Sequence, residues 1–341
     1  MKIKKVLIVA KETQLELYKK DYPKEKDLKN FFIEKNIEES KILQYHNEHY
    51  QNLEKTKKIF LDNNIYFEIL NKNNLTESDF KKNWDIIASF GGDGTVLETA
   101  SHIKNKTPFL GIISNSRSYG ELCSIKNNEI ESKLERLIKN DFSIIEKDRT
   151  KAIINNGETI IDHALNEIVI SDKYFSGFAK FDLYKKDKVF DIGSSGIMIA
   201  SYYGKTGWFD QIHIVIGEKP EIIEKYDKLH KATNLPSEKI YCKNAEFKED
   251  EKDLLRYKIM AIKYPINIPE CEYGIIKKGE ELKVVSKFVK DGFVHFDGNK
   301  PEDNYDGNKP DGFHKRAYPI HYGNTIRIMH SEFPLNVIDF N

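Results

Sequence analysis

The sequence predicts an α/β protein in two parts: a doubly wound, Rossmann-like N-terminal domain over residues 1–142, then a β-rich, β-sandwich-like domain over residues 143–330. Three observations predict it. Up to about residue 140, short apolar runs alternate with helical stretches, the pattern of strands crossed over by helices in a parallel sheet. From about residue 143 the texture changes to short β-prone segments separated by Gly, Asp or Lys turns, which reads as antiparallel. A glycine-rich turn, Gly91-Gly92-Asp93-Gly94, joins an apolar strand to a helix.

Residues 6–10 (Val-Leu-Ile-Val-Ala) are a continuous apolar run bounded by charge, which predicts a buried strand. Residues 27–35 and 45–63 are helical in character, with Leu53, Ile59 and Phe60 roughly on one face. Further strands are expected at 66–70, 84–90 and 109–113, and helices at 96–103 and 129–140. In the second domain, strands are expected at 149–156, 159–162, 166–172, 178–184, 188–192 and 196–201. Residues 217–262 are highly charged and predict a helical insertion, with helices around 221–231 and 246–255. β texture returns at Glu281, and strands at 324–329 and 335–338 close the chain. Residues 331–341 form a tail that is a candidate to return to the first domain.

Bulk properties exclude several functional classes. Lys plus Arg (54) balance Asp plus Glu (54) in the 341 residues, so no basic excess points to nucleic acid or an anionic membrane. Cys123, Cys242 and Cys271 lie far apart without a Cys-x-x-Cys pair, which argues against a disulfide framework or a zinc site. No apolar stretch approaches the roughly 20 residues that span a bilayer, and the run at 6–10 is too short for a signal peptide core. A cytoplasmic location is expected. His46 and His49 stand three apart with no third ligand nearby, so no protein-held metal is expected there. The doubled Asp-Gly-Asn-Lys-Pro at 297–301 and 306–310 lacks the closing Glu of an EF-hand loop and reads as a solvated insertion.

The sharpest feature is Phe90-Gly91-Gly92-Asp93-Gly94-Thr95. Its glycines allow tight turns and close approach of a ligand, and the following helix N-terminus offers N–H groups to phosphate. An acid inside such a cradle repels phosphate unless it has another task. Orienting a hydroxyl and accepting its proton as a phosphoryl group arrives is such a task. The bland alternative is an Asp that only caps a helix.

This loop resembles the GGDGT signature shared by NAD kinases and by diacylglycerol or sphingosine kinases. The lipid kinases follow it with a GTGND stretch, which is absent here. Gly111-Ile-Ile-Ser-Asn-Ser-Arg-Ser-Tyr-Gly-Glu-Leu-Cys123 is similar instead to the "GINTDP…RSEGxLC" segment of the mitochondrial-type and plant NADH-kinase-like branch. Arg117, Ser118, Gly120, Leu122 and Cys123 match, while the branch's Asn falls on Ile113 and its Asp on Asn115. Ala164-Leu-Asn166-Glu167 resembles the ALNE/D stretch of NAD kinases. Ser194-Ser-Gly196 through Trp208 aligns without gaps on their "DGxxxSTPTGSTAY". There Ser195 replaces the usual acid, Tyr202 and Tyr203 replace Pro-Thr, Lys205 replaces Ser, and Trp208 replaces Tyr. The opening "Val-Ala-Lys-Glu-Thr" and the C-terminal Asp297-Gly298 strands also resemble that branch, whereas 217–262 does not.

The resemblance implies an enzyme that moves the terminal phosphoryl group of ATP to the 2′-hydroxyl of the adenosine ribose of NAD or NADH. It implies Asp93 as the catalytic carboxylate. Gly91, Gly92, Gly94 and Thr95 would hold ATP phosphates neutralised by Mg²⁺. Asn115, Asn166, Glu167, Ser195, Ser201, Gly204, Lys205, Thr206 and Trp208 would hold nucleotide. An amide both donates and accepts, and a carboxylate accepts from two sugar hydroxyls. Trp208 offers a face to a base, or serves as a core aromatic; Lys205 pairs with phosphate, or is solvated. The site is expected in an interdomain cleft, and the protein is expected to form a homodimer or homotetramer with no nucleic-acid or membrane partner. Three alternatives stay open: a lipid kinase, which Glu98 favours; a non-catalytic dinucleotide-binding protein; and a phosphofructokinase-like sugar kinase, which also uses a Gly-Gly-Asp loop.

Overall fold

A computed structural model describes residues 2–118, 120–175, 177–204, 207–209, 252–260, 271, 273–299 and 316–340. The chain begins β1 (Lys5–Ala10), α1 (Gln14–Asp21), α2 (Glu25–Glu34), α3 (Glu39–Asp62), β2 (Tyr66–Asn71), α4 (Glu77–Phe80) and β3 (Ile86–Gly91). It continues α5 (Asp93–His102), β4 (Phe109–Ile113), α6 (Ile130–Ile138) and β5 (Ser143–Lys147). Strands β6 (Thr150–Asn155), β7 (Thr159–Ala164), β8 (Glu167–Asp172), β9 (Ala179–Lys185), β10 (Lys188–Ser194) and β11 (Gly196–Ser201) follow. The last elements are β12 (Leu254–Met260), β13 (Tyr273–Lys277), β14 (Leu282–Ser286), β15 (Gly292–Phe296), β16 (Ala317–Ile320), β17 (Thr325–His330) and β18 (Leu335–Asp339).

Two compact units emerge. The first comprises described residues of 1–147 and 335–341, around the sheet β2-β1-β3-β4-β18-β5. Strands β2, β1, β3 and β4 are mutually parallel, β18 joins parallel to β4, and β5 is antiparallel to β18. The apolar run of β1 has Val6 to Val9 fully buried, as a strand covered on both faces requires. Its core joins Val6, Ile8, Ala88, Phe90, Leu110 and Ile112 to Leu53 and Phe60 of α3 and Leu134 and Leu137 of α6. Helix α1 starts where Thr13 accepts from the Glu16 N–H and Glu16 returns a carboxylate to the Thr13 N–H, a reciprocal capping box.

The second unit lies within 148–334. Its two six-stranded sheets run β10-β9-β14-β17-β6-β7 and β13-β12-β11-β8-β15-β16. They share one core: Phe181, Leu183, Val284 and Ile326 from the first, and Ile168, Ile197, Tyr257 and Phe296 from the second.

Three expectations are corrected. Residues 254–260 were expected in the charged helical insertion, but they form β12, hydrogen-bonded between β11 and β13. Leu255, Tyr257 and Ile259 alternate with Arg256 and Lys258, a two-residue period that the charges before it obscure, and all five are buried. Residues 217–251 and 261–262 of that segment lie outside the described residues. Residues 143–147, expected to open the second domain, form β5 of the first sheet. Third, β texture resumes before Glu281, since β12 and β13 precede it. The second Asp-Gly-Asn-Lys-Pro also lies outside the described residues.

Candidate active site

Strand β3 ends in a turn that must be compact. A Cβ on Gly91 would sit 2.1 Å from Thr95 Oγ1, a buried side chain with nowhere to retreat. Gly92 caps α5 in an extended conformation, and its carbonyl accepts from Thr95 N–H at 2.8 Å and Val96 N–H at 3.1 Å. Gly94 faces open space, with nothing within 4 Å of its would-be Cβ. A ligand can therefore approach the backbone at Gly94, whereas the Thr95 hydroxyl is packed inward.

Asp93 is the first residue of α5, where the helix dipole favours an acid. Its Oδ1 accepts from Leu122 N–H at 2.9 Å and its Oδ2 from Glu121 N–H at 3.2 Å. Each oxygen keeps a lone pair, and the residue is half-exposed. Burial and the Asp93 charge push the Cys123 thiol up to about 12. Lys147 is lowered by burial, with Asp93 and Asp339 opposing that shift. Asn115, just past β4, accepts from Ser118 N–H at 3.1 Å and Ser118 Oγ at 2.9 Å and donates to Tyr45 O at 3.2 Å, so it braces its own loop.

In the second unit, Asn166 and Glu167 stand at the start of β8. A Cβ on Gly204 would lie 1.9 Å from Asn166 O, and one on Gly207 would lie 2.7 Å from Glu167 Oε2. The loop after β11 thus lies directly on this pair. Gly204→Ala is expected to cost about 1–3 kcal/mol, the range for an overpacked contact, read as a lowered midpoint in urea. Asn166 Oδ1 and Glu167 Oε2 are buried without a hydrogen-bond partner among the described residues. Such orphaned acceptors are costly unless a ligand or water fills them.

Burial, reinforced by the Asp297 charge, pushes the Glu167 carboxyl up to about 8, against a hydrogen bond from the Trp208 N–H. A carboxyl raised in this way resists ionisation, and in its neutral form it accepts with one oxygen and donates from the other. Linkage gives the direction of a test. The unfolded chain ionises Glu167 near its ordinary value while the folded chain resists until about 8, so stability falls as pH rises through that window. Glu167→Gln lacks this penalty. It is expected to exceed the wild type by a few kcal/mol at pH 9, at about 1.36 kcal/mol per pH unit, and to match it at pH 4 in urea melts.

Beneath the pair lies a buried network absent from the sequence-derived site. Asp297 Oδ1 accepts from Asn166 N–H at 2.7 Å, and Asp297 Oδ2 accepts from Arg316 Nη1 at 2.7 Å. Arg316 also grips Asp162 through Nε and Nη2, each at 3.0 Å, and Tyr318 OH donates to Asp162 at 2.8 Å. Burial pushes Asp297 up, against the Arg316 charge and the N–H groups of Asn166 and Leu165. Asp297-Gly298 was visible as a motif, but nothing in the residues around Arg316 marked it.

The remaining expected residues are dispersed in role. Ser195 N–H donates to Met260 O at 2.8 Å, and the buried Ser201 hydroxyl donates to Leu165 O at 3.4 Å. Trp208 meets Phe175 edge-on at 4.8 Å and packs on the cluster of Val169, Met198 and Phe209. Lys205 and Thr206 lie outside the described residues.

No family model matches the chain. It is similar to an NAD kinase of Clostridium kluyveri, 32% identical over 127 residues, which are 36% of this chain and 44% of that protein. An NAD kinase of Christiangramia forsetii is 29% identical over 157 residues, 42% of this chain and 53% of that protein. The chain thus spans about half the length of these curated relatives. Among solved structures, yeast NADH kinase complexed with NADH aligns with 99% of this chain and 84% of that one, at a TM-score of 0.59 and 11% identity. An NAD kinase from Archaeoglobus fulgidus in complex with ATP aligns with 99% of this chain and 93% of that one, at 0.55 and 15%. At these identities the likeness is one of fold: a mixed α/β protein with a parallel sheet and β-rich parts.

Proposed function

We propose that this protein is an NAD(H) kinase of the mitochondrial-type, NADH-kinase-like branch. It transfers the terminal phosphoryl group of ATP to the 2′-hydroxyl of the adenosine ribose of NAD or NADH, giving NADP(H). In this reading the first unit is Rossmann-like and doubly wound, the second β-sandwich-like. The observation that carries the proposal is the pair of buried, unpartnered oxygens, Asn166 Oδ1 and Glu167 Oε2, on the stretch that resembles the nucleotide-holding motif. Similarity to curated NAD kinases supports it.

Asn166 and Glu167 would hold the adenosine end of the dinucleotide, with Gly204 leaving room for the loop to close on them. Ser195, Ser201, Lys205, Thr206 and Trp208 belong to the same nucleotide-holding stretch. Asp93 would orient the 2′-hydroxyl and accept its proton. The Gly92–Thr95 backbone would take donor phosphate, with the open face of Gly94 admitting it. Phosphoryl transfer passes through a loose transition state, so positioning supplies most of the acceleration. Among the described residues no cluster of three or more His, Cys, Asp or Glu side chains fits a resident metal. Mg²⁺ would arrive on ATP and neutralise phosphate charge there. A homodimer or homotetramer in the cytoplasm completes the reading; no helix among the described residues is long and apolar enough to cross a membrane.

The test is incubation of pure protein with NAD or NADH, ATP and Mg²⁺, with NADP(H) detected by a coupled dehydrogenase. NADP(H) formation is expected. Turnover only with diacylglycerol vesicles or with fructose 6-phosphate would replace the proposal with one of its rivals.

A further inference from the structure

We infer that a cavity at the carboxyl end of β1, walled by Lys11 and Arg117, is a phosphate subsite for the distal phosphates of the phosphoryl donor. Naming the donor rests on the kinase reading above; the phosphate chemistry does not. Strands β1, β3 and β4 are parallel neighbours, so Lys11, Asp93 and Asn115 leave the sheet at the same edge. Open α/β sheets bind ligands at that edge. Lys11 N–H donates to Phe90 O at 3.1 Å, which ties it to the strand that leads into the glycine turn.

The cavity measures about 180 Å³ and is also lined by Thr13, Tyr45, His46 and Asn115. That is smaller than the roughly 300–1,000 Å³ of a whole-ligand pocket, and it suits phosphate groups better than a nucleoside. Lys11 Nζ donates to Ser118 Oγ at 2.8 Å, and Arg117 donates to Gln14 Oε1 and lies 5.8 Å from the Tyr45 ring centroid. Among the described residues neither makes an ion pair with a carboxylate. Two acids on neighbouring elements are engaged elsewhere: Glu16 with Thr13 and Tyr50, Glu48 with Ser116.

Burial and the charges of Lys72 and Arg117 push the Lys11 ammonium below its ordinary value. The same field helps hold the buried His49 neutral, at about 4, where burial is the main cause. Half-buried Lys11 is repelled by Lys72 and by the exposed Arg117, with no carboxylate paired to Lys11 or Arg117 among the described residues, and a polyphosphate relieves that repulsion. Arg117 offers a planar fork to phosphate oxygens, and Lys11 a point charge.

The test uses inorganic tripolyphosphate. Calorimetry should show binding to the wild type and about tenfold weaker binding to Lys11→Met and to Arg117→Met, with Lys11→Arg near wild type. NADH affinity should be unchanged. In the wild type, tripolyphosphate should slow acetylation of Lys11 by acetic anhydride, read by mass spectrometry; this arm decides if Lys11→Met fails to fold. No binding, an unprotected Lys11, or equal affinity in a folded Lys11→Met overturns the inference. Protection of Lys11 without NADP(H) formation keeps the subsite and sinks the kinase reading. NADP(H) formation with Lys11 unprotected does the reverse.

Discussion

Asp93→Asn is expected to fold, to bind NADH and to form NADP(H) about 10²–10⁴-fold more slowly than the wild type, the usual contribution of a positioned base. The amide retains the shape of the carboxylate and its oxygen still accepts from Leu122 N–H, but the second acceptor, which receives the Glu121 N–H, is lost. That loss costs roughly 0.5–1.5 kcal/mol, too little to unfold a domain. The variant therefore separates two roles for one side chain. If Asp93 only staples residues 121–122 to the helix, activity and urea stability should decline together and modestly. If it receives the ribose proton, turnover collapses while stability barely moves. Turnover within tenfold of wild type would remove Asp93 from the chemistry.

Arg316→Met is expected to be the most damaging substitution for the fold, at about 3–5 kcal/mol, the range for breaking a buried ion pair by removing one partner. Asp162 and Asp297 both depend on this guanidinium, and all three residues are buried. Burial would raise Asp162, but the Arg316 charge and its hydrogen bonds hold it below the ordinary carboxylate range. A carboxyl lowered in this way adds stability above its unfolded value and loses it as pH falls through the folded one. The gap between variant and wild type should therefore be widest near pH 7 and should narrow below about pH 4, where the orphaned acids take up protons. Urea melts across that range provide the measurement. A gap under about 1 kcal/mol at pH 7 would show the network to be dispensable. Because Asp297 also holds the Asn166 N–H, dinucleotide affinity should fall with it.

Much of the architecture was legible because it is written in local periodicity. The apolar runs of β1 and β4 have no polar interruption, β3 is broken only by the small buried Ser89, as strands buried on both faces allow, and α3 shows its core face through Leu53 and Phe60. The capping box Thr13–Glu16 was present in the sequence, yet α1 was not expected, since it is short, carries Glu16, Lys19, Lys20 and Asp21, and buries Leu15 alone. Strand β12 was hidden by Arg256 and Lys258, whose charges suggested a solvated helix although both are buried. Site residues followed the same division. Asp93 and the Asn166–Glu167 pair sit in contiguous motifs. The acid that anchors Asn166 lies 131 positions away, and its arginine a further 19 positions on, so only tertiary pairing unites them. The raised carboxyl of Glu167 was equally invisible, because it depends on burial and on a neighbour distant in sequence.

Strand β18 carries one more implication. Among the described residues it links β5 to the rest of the first sheet, and in sequence it follows the whole second unit. During synthesis the nascent first unit must therefore wait, with its sheet unfinished and an open strand edge, until the second unit has been made and β18 has emerged. Such late, long-range closure is slow and leaves a sticky template exposed to neighbours. Cells making this protein in quantity would be expected to lean on chaperones that shield half-built sheets.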